Sequence, residues 1–459
     1  MSTDSIAYFI IILATFILCC FSHLKYRSWF LISFSILFLG ITNPKTSLIF
    51  IAIGLTNYLC VKHFNKFNLA SHALVIFNIF CLSLIKYIAP HTEWFTGTSY
   101  ILPVGISIFI FQQISFIIDM KHIDTKKLVF SDYLTYSFFI GNLATGPILK
   151  FTNFIEQQKS ILVFSKKGIE LGIIFICAGL FKKMAVADNL SSFTAFLFKE
   201  KTLYSMNLII PFLFNKYEIY ANFSGFTDIA IGIGLIFGIE LPQNFNRPFA
   251  VSSIVEFWKR WHMSLTAWIR EYVFYPLTTS RFNLFGPYPI MAVTFLVFAI
   301  WHDLKITHIL YGLIQVMLVY LSIKFAVVNS LINSSSPLIK YFLKTIKWAW
   351  FYVVLISIPG ILFRAESMSQ FNNIMWNLTN TPLETSRYFI LHSYGSMPLC
   401  IATICIMEIY EKYFQADKIH NIVASKNIWI KSLMLLAFFI LLMLLKHNYS
   451  DTNFIYSNY

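Results

Sequence analysis

The sequence predicts an all-α polytopic membrane protein, with roughly 11–13 transmembrane helices plus re-entrant and interfacial helices around a central tunnel. Three observations predict it. Only 12% of the 459 residues are charged, where a soluble chain carries about 25%. Hydrophobic residues make up 57% of the chain, and mean hydropathy is +0.67. The charge deficit runs from end to end, which excludes a soluble domain on a single anchor.

Apolar stretches that approach or reach the length of a spanning helix (about 17–25 residues) recur throughout. In order they cover 5–22, 28–41, 47–60, 72–89, 98–118, 132–148, 168–186, 203–221, 225–239, 286–300, 308–328, 343–363, 388–408 and 432–446. Several are short or interrupted by glycine and proline, and these read as re-entrant or interfacial. Irregular backbone persists at membrane depth only where protein or a water-filled cavity satisfies its polar groups. The interruptions therefore predict a cavity. Residues 1–22 show neither the basic start nor the small-residue cleavage site of a signal peptide.

A formal net charge of +14 raises the question of nucleic acid. The placement of the cations answers against it, because it follows the rule that cytoplasmic loops retain Lys and Arg. The opening MSTDS holds none, and Lys25 and Arg27 follow the first span. Further basic loops hold Lys121/Lys126/Lys127, Lys340/Lys344/Lys347 and Lys412/Lys418/Lys426/Lys431. With these inside, the N-terminus and the segment after 446 are both expected outside. The seven cysteines lie in apolar spans without metal-type spacing, so they read as small core residues and no metal is expected. Without repeats, low-complexity runs or linkers, 1–459 reads as one membrane domain.

The polar chemistry concentrates in three places. In FWKRWHMSLTAWIREYVFYPL (257–277), Trp258, Trp261, Leu265, Trp268 and Tyr272 recur at helical spacing, with Lys259, Arg260, Arg270 and Glu271 off that stripe. This predicts an amphipathic helix at the membrane interface. Asp228 sits in an apolar stretch, where a carboxylate is costly unless paired or wet, and is a functional candidate on that ground. In AIWHDLKITHILYG (299–312) a second Trp–His pair, Trp301–His302, closes an apolar span. Two such pairs, Trp261–His262 and Trp301–His302, suggest general-base chemistry, because imidazole exchanges protons near neutral pH. His308 follows His302 by six positions, about 240° around a helix. It is expected to line the site, not to act as a third catalytic group.

These segments sit in a longer pattern. The blocks LPVGISIFIFQQISFIIDM (102–120), FFIGNLATGPILKF (138–151), GLFKKMAVADNL (179–190), YANFSGFTDIAIGIG (220–234), LPQNFNRPF (241–249), the 257–277 segment and FRAES (363–367) occur in order. Together they resemble the membrane-bound O-acyltransferases, in the bacterial branch of alginate, polysaccharide and peptidoglycan O-acetylation. The resemblance covers a signature core of about 102–366, with a C-terminal helix and aromatic tail over 432–459. It implies that His302 is the catalytic base and His262 its companion. It also implies a tunnel in which a cytoplasmic thioester meets an extracytoplasmic hydroxyl, and the 257–277 segment with its basic Arg260 would border that tunnel. Trp261, Trp301, Asp228, Asn222, Arg260 and Asp303 are expected to line it. The sequence departs from the family pattern in two places: WHDLKI replaces a WHGASW-like run, and Asn222 stands where an acidic residue is usual.

The implied activity is transfer of a short acyl group, acetyl, to an extracytoplasmic glycan across the inner membrane of a bacterium. The implied donor is acetyl-CoA or another acyl thioester, with no bound cofactor. No G-x-S-x-G elbow or esterase-like segment is present, so final transfer is expected to need a separate SGNH-type partner protein. The ending TNFIYSNY (452–459) resembles a short aromatic tail of this branch, and Tyr456 there is a candidate acyl relay. A related branch that moves D-alanine towards teichoic acids shares the two histidines. A glycan or lipid transporter also fits broken helices and an intramembrane Asp228, but such proteins show paired repeats and none is found here.

Overall fold

The computed structural model describes residues 6–42, 44–64, 68–88, 105–124, 128–143, 146–199, 205–280, 286–324, 337–380, 397–413 and 416–445. Among them there is no strand, and the chain is an all-α polytopic membrane protein. The N-terminal helices are α1 (Ile6–Phe21), α2 (Leu24–Thr42), α3 (Pro44–Phe64) and α4 (Asn68–Ser83), the last continued by a π turn over Leu84–Ile88. The central set is α5 (Ile106–Asp119), α6 (Phe130–Phe138), α7 (Ile140–Leu143), α8 (Phe151–Glu156), α9 (Lys166–Leu180), α10 (Asp188–Lys199) and α11 (Ser205–Ile236). A π turn over Phe181–Ala187 joins α9 to α10. Then follow α12 (Ile254–Trp258), α13 (Met263–Ile269), α14 (Tyr275–Thr279), α15 (Pro287–His302), α16 (Ile306–Lys324), α17 (Pro337–Trp350), α18 (Ile358–Arg364) and α19 (Met368–Asn380). The last three are α20 (Met397–Tyr413), α21 (Ala416–Ala424) and α22 (Ile428–Leu445).

Among the described residues, seven helical stretches are long and apolar enough to cross a membrane by length and composition, and Ala7–Phe21 and Pro287–His302 are shorter apolar helices. Two sequence expectations change. The stretches 203–221 and 225–239, expected as separate spans, are one helix of 32 residues. Glycines let it pack closely. A Cβ on Gly225 would come within 2.8 Å of the Gly179 carbonyl on α9, so bare backbones meet there and the helix continues. The stretch 132–148, expected as one span, breaks at Phe139, whose backbone is extended, into α6 and the short α7.

The segment 150–170 gathers the basic loops at one end of the molecule. Arg27 donates to the Leu162 carbonyl at 2.7 Å, and the Thr152 amide donates to Asp119 at 3.0 Å. Gln157 bonds the backbone of Glu240 at 2.7 and 3.1 Å, and Glu170 pairs with Lys431 at 2.6 Å. Charged loops distant in sequence thus share one face.

Candidate active site

The tryptophan-rich segment is not one helix. α12 ends at Trp258, the chain turns through Lys259–His262, and α13 begins at Met263. His262 sits in the left-handed region, with φ 44°. Asn244 holds that turn. Its carbonyl accepts from the Met263 amide at 2.8 Å, and its side-chain oxygen accepts from the Ser264 hydroxyl at 2.5 Å and amide at 3.3 Å. The Ser264 hydroxyl in turn accepts from the Ile148 amide at 3.1 Å. With the turn in place, the stripe packs inside the protein: Trp258 donates to Gln315 of α16 at 3.1 Å, and the later residues run along α5. Trp268 Nε1 donates to the Ser115 hydroxyl at 2.9 Å, and one helical turn later the Tyr272 hydroxyl donates to Asp119 at 2.7 Å. Trp258, Trp261 and Trp268 are all buried against protein, which corrects the expected lipid-facing belt.

The turn brings the two Trp–His pairs together. His302 is the last residue of α15, and the Trp301 ring lies 4.2 Å from it and 6.4 Å from His262, centroid to centroid. His262 also packs edge-on against Phe223 at 4.8 Å, next to Asn222 on α11. Phe363 of α18 packs edge-on against His302 at 4.9 Å and tilted against His308 at 4.7 Å. The face argument for His308 therefore fails at its premise. The helix stops at His302, and Asp303, with φ −163°, is extended before α16 begins at Ile306. Asp303 caps the Leu304 amide at 2.8 Å and pairs with Lys305 at 2.9 Å, so its carboxylate is occupied locally.

Asp228 is paired, as a buried carboxylate must be. Lys182 lies 2.8 Å from it and 2.7 Å from Glu411 of α20, and the Tyr220 hydroxyl donates to Glu411 at 2.7 Å. This is a separate charged cluster on α11, not a member of the histidine group. Arg260 is half-buried, and its carbonyl accepts from the Asn246 amide at 3.0 Å. Tyr456 lies outside the described residues.

Three groups that sequence reasoning passed over complete the site. Lys86, from the π turn after α4, donates to the Trp301 carbonyl at 2.5 Å, and the neighbouring Tyr87 hydroxyl donates to the Ile300 carbonyl. Lys216 of α11 lies 5.7 Å over the Trp261 ring and 5.8 Å over Phe363. Phe363 joins Lys216 to His302 and His308. Lys86 and Lys216 stand in apolar runs, and an ionisable residue there is a signal in itself.

The family model of the membrane-bound O-acyltransferases matches residues 117–365. The probable alginate O-acetylase AlgI of Pseudomonas putida is 31% identical over 279 residues, 60% of this chain and 55% of that protein. The peptidoglycan O-acetyltransferase of Helicobacter pylori is 32% identical over 243 residues, 47% of this chain and 46% of that one. The teichoic acid D-alanyltransferase of Bacillus subtilis is 27% identical over 227 residues, 47% of this chain and 57% of that one. The chain spans about half the length of these relatives.

Proposed function

From the premise that this chain belongs to the membrane-bound O-acyltransferase family, we propose that it moves an acetyl group from a cytoplasmic thioester, such as acetyl-CoA, to an extracytoplasmic glycan. The observation that carries the reading is the meeting of His262 and His302 on either side of Trp301. Their depth supports it. Trp301 packs on Phe111, which precedes Asp119 at the basic end by eight residues, or about 12 Å of helix. That is near the middle of a hydrocarbon core about 30 Å thick, where reactants from opposite sides can meet.

His302 takes the proton of the accepting hydroxyl as its oxygen adds to the thioester carbonyl. The tetrahedral adduct then collapses, the carbon–sulfur bond breaks, and the thiolate leaves with the proton returned by the imidazolium. Products are an acyl ester and a free thiol. General-base help of this kind contributes about 10²–10⁴-fold. Tyr456 is the candidate first acceptor on this chain, passing the acyl group to an SGNH-type partner that esterifies the polymer.

The test uses purified protein in detergent with isotopically labelled acetyl-CoA. Thiol release falls by about 10²–10⁴-fold in His302→Ala, and intact mass shows an acetyl adduct on wild type that Tyr456→Phe lacks. Undiminished turnover in a folded His302→Ala protein sinks the catalytic assignment. An adduct that survives Tyr456→Phe sinks the relay alone. Equal loading from a D-alanyl carrier protein, without use of acetyl-CoA, selects the D-alanyl reading that the Bacillus subtilis relative supports.

A further inference from the structure

Four lysines are buried among the described residues: Lys86, Lys182, Lys183 and Lys216. Three of them are answered by oxygen. Lys182 has Asp228 and Glu411, Lys183 has Asp188, and Lys86 has the Trp301 carbonyl. Lys216 has no hydrogen bond or carboxylate partner among the described residues, and only 6% of it is exposed. The carboxylate that lies closest along the helix, Glu218, is taken by Arg364 and by the Thr194 hydroxyl at 2.6 Å. A lysine head group held largely off water without an oxygen partner is costly for a fold to carry.

The surroundings are built to keep it there. Lys216 lies against the faces of Trp261 and Phe363, and its stem crosses Gly360 so closely that any Cβ at that position would overlap it. Phe363 is also the ring that packs against His302, so one side chain lies between the lysine and that imidazole. Two further buried nitrogens in the same group, Trp301 Nε1 and His262 Nδ1, also have no partner in the protein. An unanswered lysine and two unanswered ring nitrogens, one of them on His262 itself, thus gather at the histidine pair.

We propose that Lys216 binds an oxygen anion of the acyl donor beside His302, with Trp301 Nε1 as a second donor to it. The inference rests on the acyl-transfer reading above. Two sources share this chemistry. One is the carbonyl oxygen of the acyl group, which becomes an anion when the accepting oxygen adds to it and returns to a carbonyl when the thiolate leaves. The other is a standing anion of the donor, such as a phosphate oxygen. A preformed cation in a dry site favours either without reorganising at the moment of reaction.

The experiment measures donor turnover and melting temperature together, on purified full-length protein with acetyl-CoA. Lys216→Met keeps the length and removes the charge. A cation held only for a substrate weighs on the empty fold, so the variant is expected to melt at the same or a higher temperature than wild type. Its kcat/KM for acetyl-CoA is expected to fall by about 10²–10³-fold, the usual effect of losing an oxyanion donor. A loss in kcat assigns the charge to the acyl oxygen, and a rise in donor KM assigns it to a standing anion. Gly360→Ala displaces the lysine stem without removing the charge and is expected to lower the same parameter by a smaller factor; it carries the test if Lys216→Met does not fold. Unchanged kcat and KM in a folded Lys216→Met protein overturn the inference, as does a parallel loss of melting temperature and activity, which marks a structural cation. A wild-type rate that needs His302 and ignores Lys216 overturns this inference alone. A rate equal in wild type and His302→Ala overturns the acyl-transfer reading and this inference with it.

Discussion

Lys86 and Tyr87 hold carbonyls that no helix can satisfy from within. α15 ends at His302, so its last carbonyls have no amide one turn ahead, and the two side chains donate to those of Trp301 and Ile300. A cation at a helix C-terminus also opposes the partial negative charge there. Lys86→Met is therefore expected to loosen the end of the helix that presents His302. We predict a fall in kcat of about tenfold or more with donor KM unchanged, since misplacement by about 1 Å costs up to 10²-fold. Lys86→Arg, which keeps the donor, is expected to recover most of it. A change in KM alone contradicts a positioning role. The residue that does this lies 215 positions from its partner. Its presence in an apolar run was legible, but its partner was not, because no local spacing encodes a contact between distant helices. His262, His302 and their tryptophans were legible as types and motifs. The left-handed turn that joins them was not, since His262 carries no glycine signal and Asn244 imposes the turn from eighteen residues earlier.

At the scale of elements, two helices cross on matched glycines. Gly172 and Gly179 on α9 meet Gly232 and Gly225 on α11, each pair seven residues apart along its helix. Side-chain-free surfaces let the backbones approach closely, which is how helices associate where lipid supplies no hydrophobic drive. Added volume has nowhere to go, because the atoms facing each position are backbone carbonyls as well as side chains. Gly225→Val is expected to destabilise the protein by about 1–3 kcal/mol, read as a lower melting temperature in detergent. A valine variant that melts with wild type shows that the crossing yields. The glycines signal close packing in the sequence, whereas the break expected between 221 and 225 is absent, and one long helix continues past its neighbour. The tryptophan stripe misled for a related reason: helical spacing records which side chains could share a face, and a single turn at Lys259–His262 moved that face from the interface into the protein.

Across the whole molecule, contacts join charged loops that composition alone could only assign one by one. Arg27, Lys431 and the carboxylates of Asp119 and Glu170 all meet the 150–170 segment, and the positive-inside rule places such an end in the cytoplasm. α22 starts at that end. Glu170 near the start of α9 pairs with Lys431 at 2.6 Å, and further along the same two runs of chain Asn189 donates to the Leu445 carbonyl at 2.9 Å. The two therefore run side by side towards the opposite end. The 18 residues of α22 rise about 27 Å, close to the thickness of a hydrocarbon core. With the basic end in the cytoplasm, as we propose, a chain that leaves that side at Ile428 reaches the other side at Leu445, where an acceptor arriving from outside would be met. We predict that a phosphatase reporter fused after residue 446 is active in cells, whereas the same reporter inserted in the 121–127 loop is inactive. A fluorescent protein that matures only in the cytoplasm is expected to give the reverse pattern. Phosphatase activity at the 121–127 loop together with fluorescence after 446 inverts the molecule. The thioester would then have to approach from the end opposite Lys431, and the assignment of donor and acceptor to the two sides would fall with it.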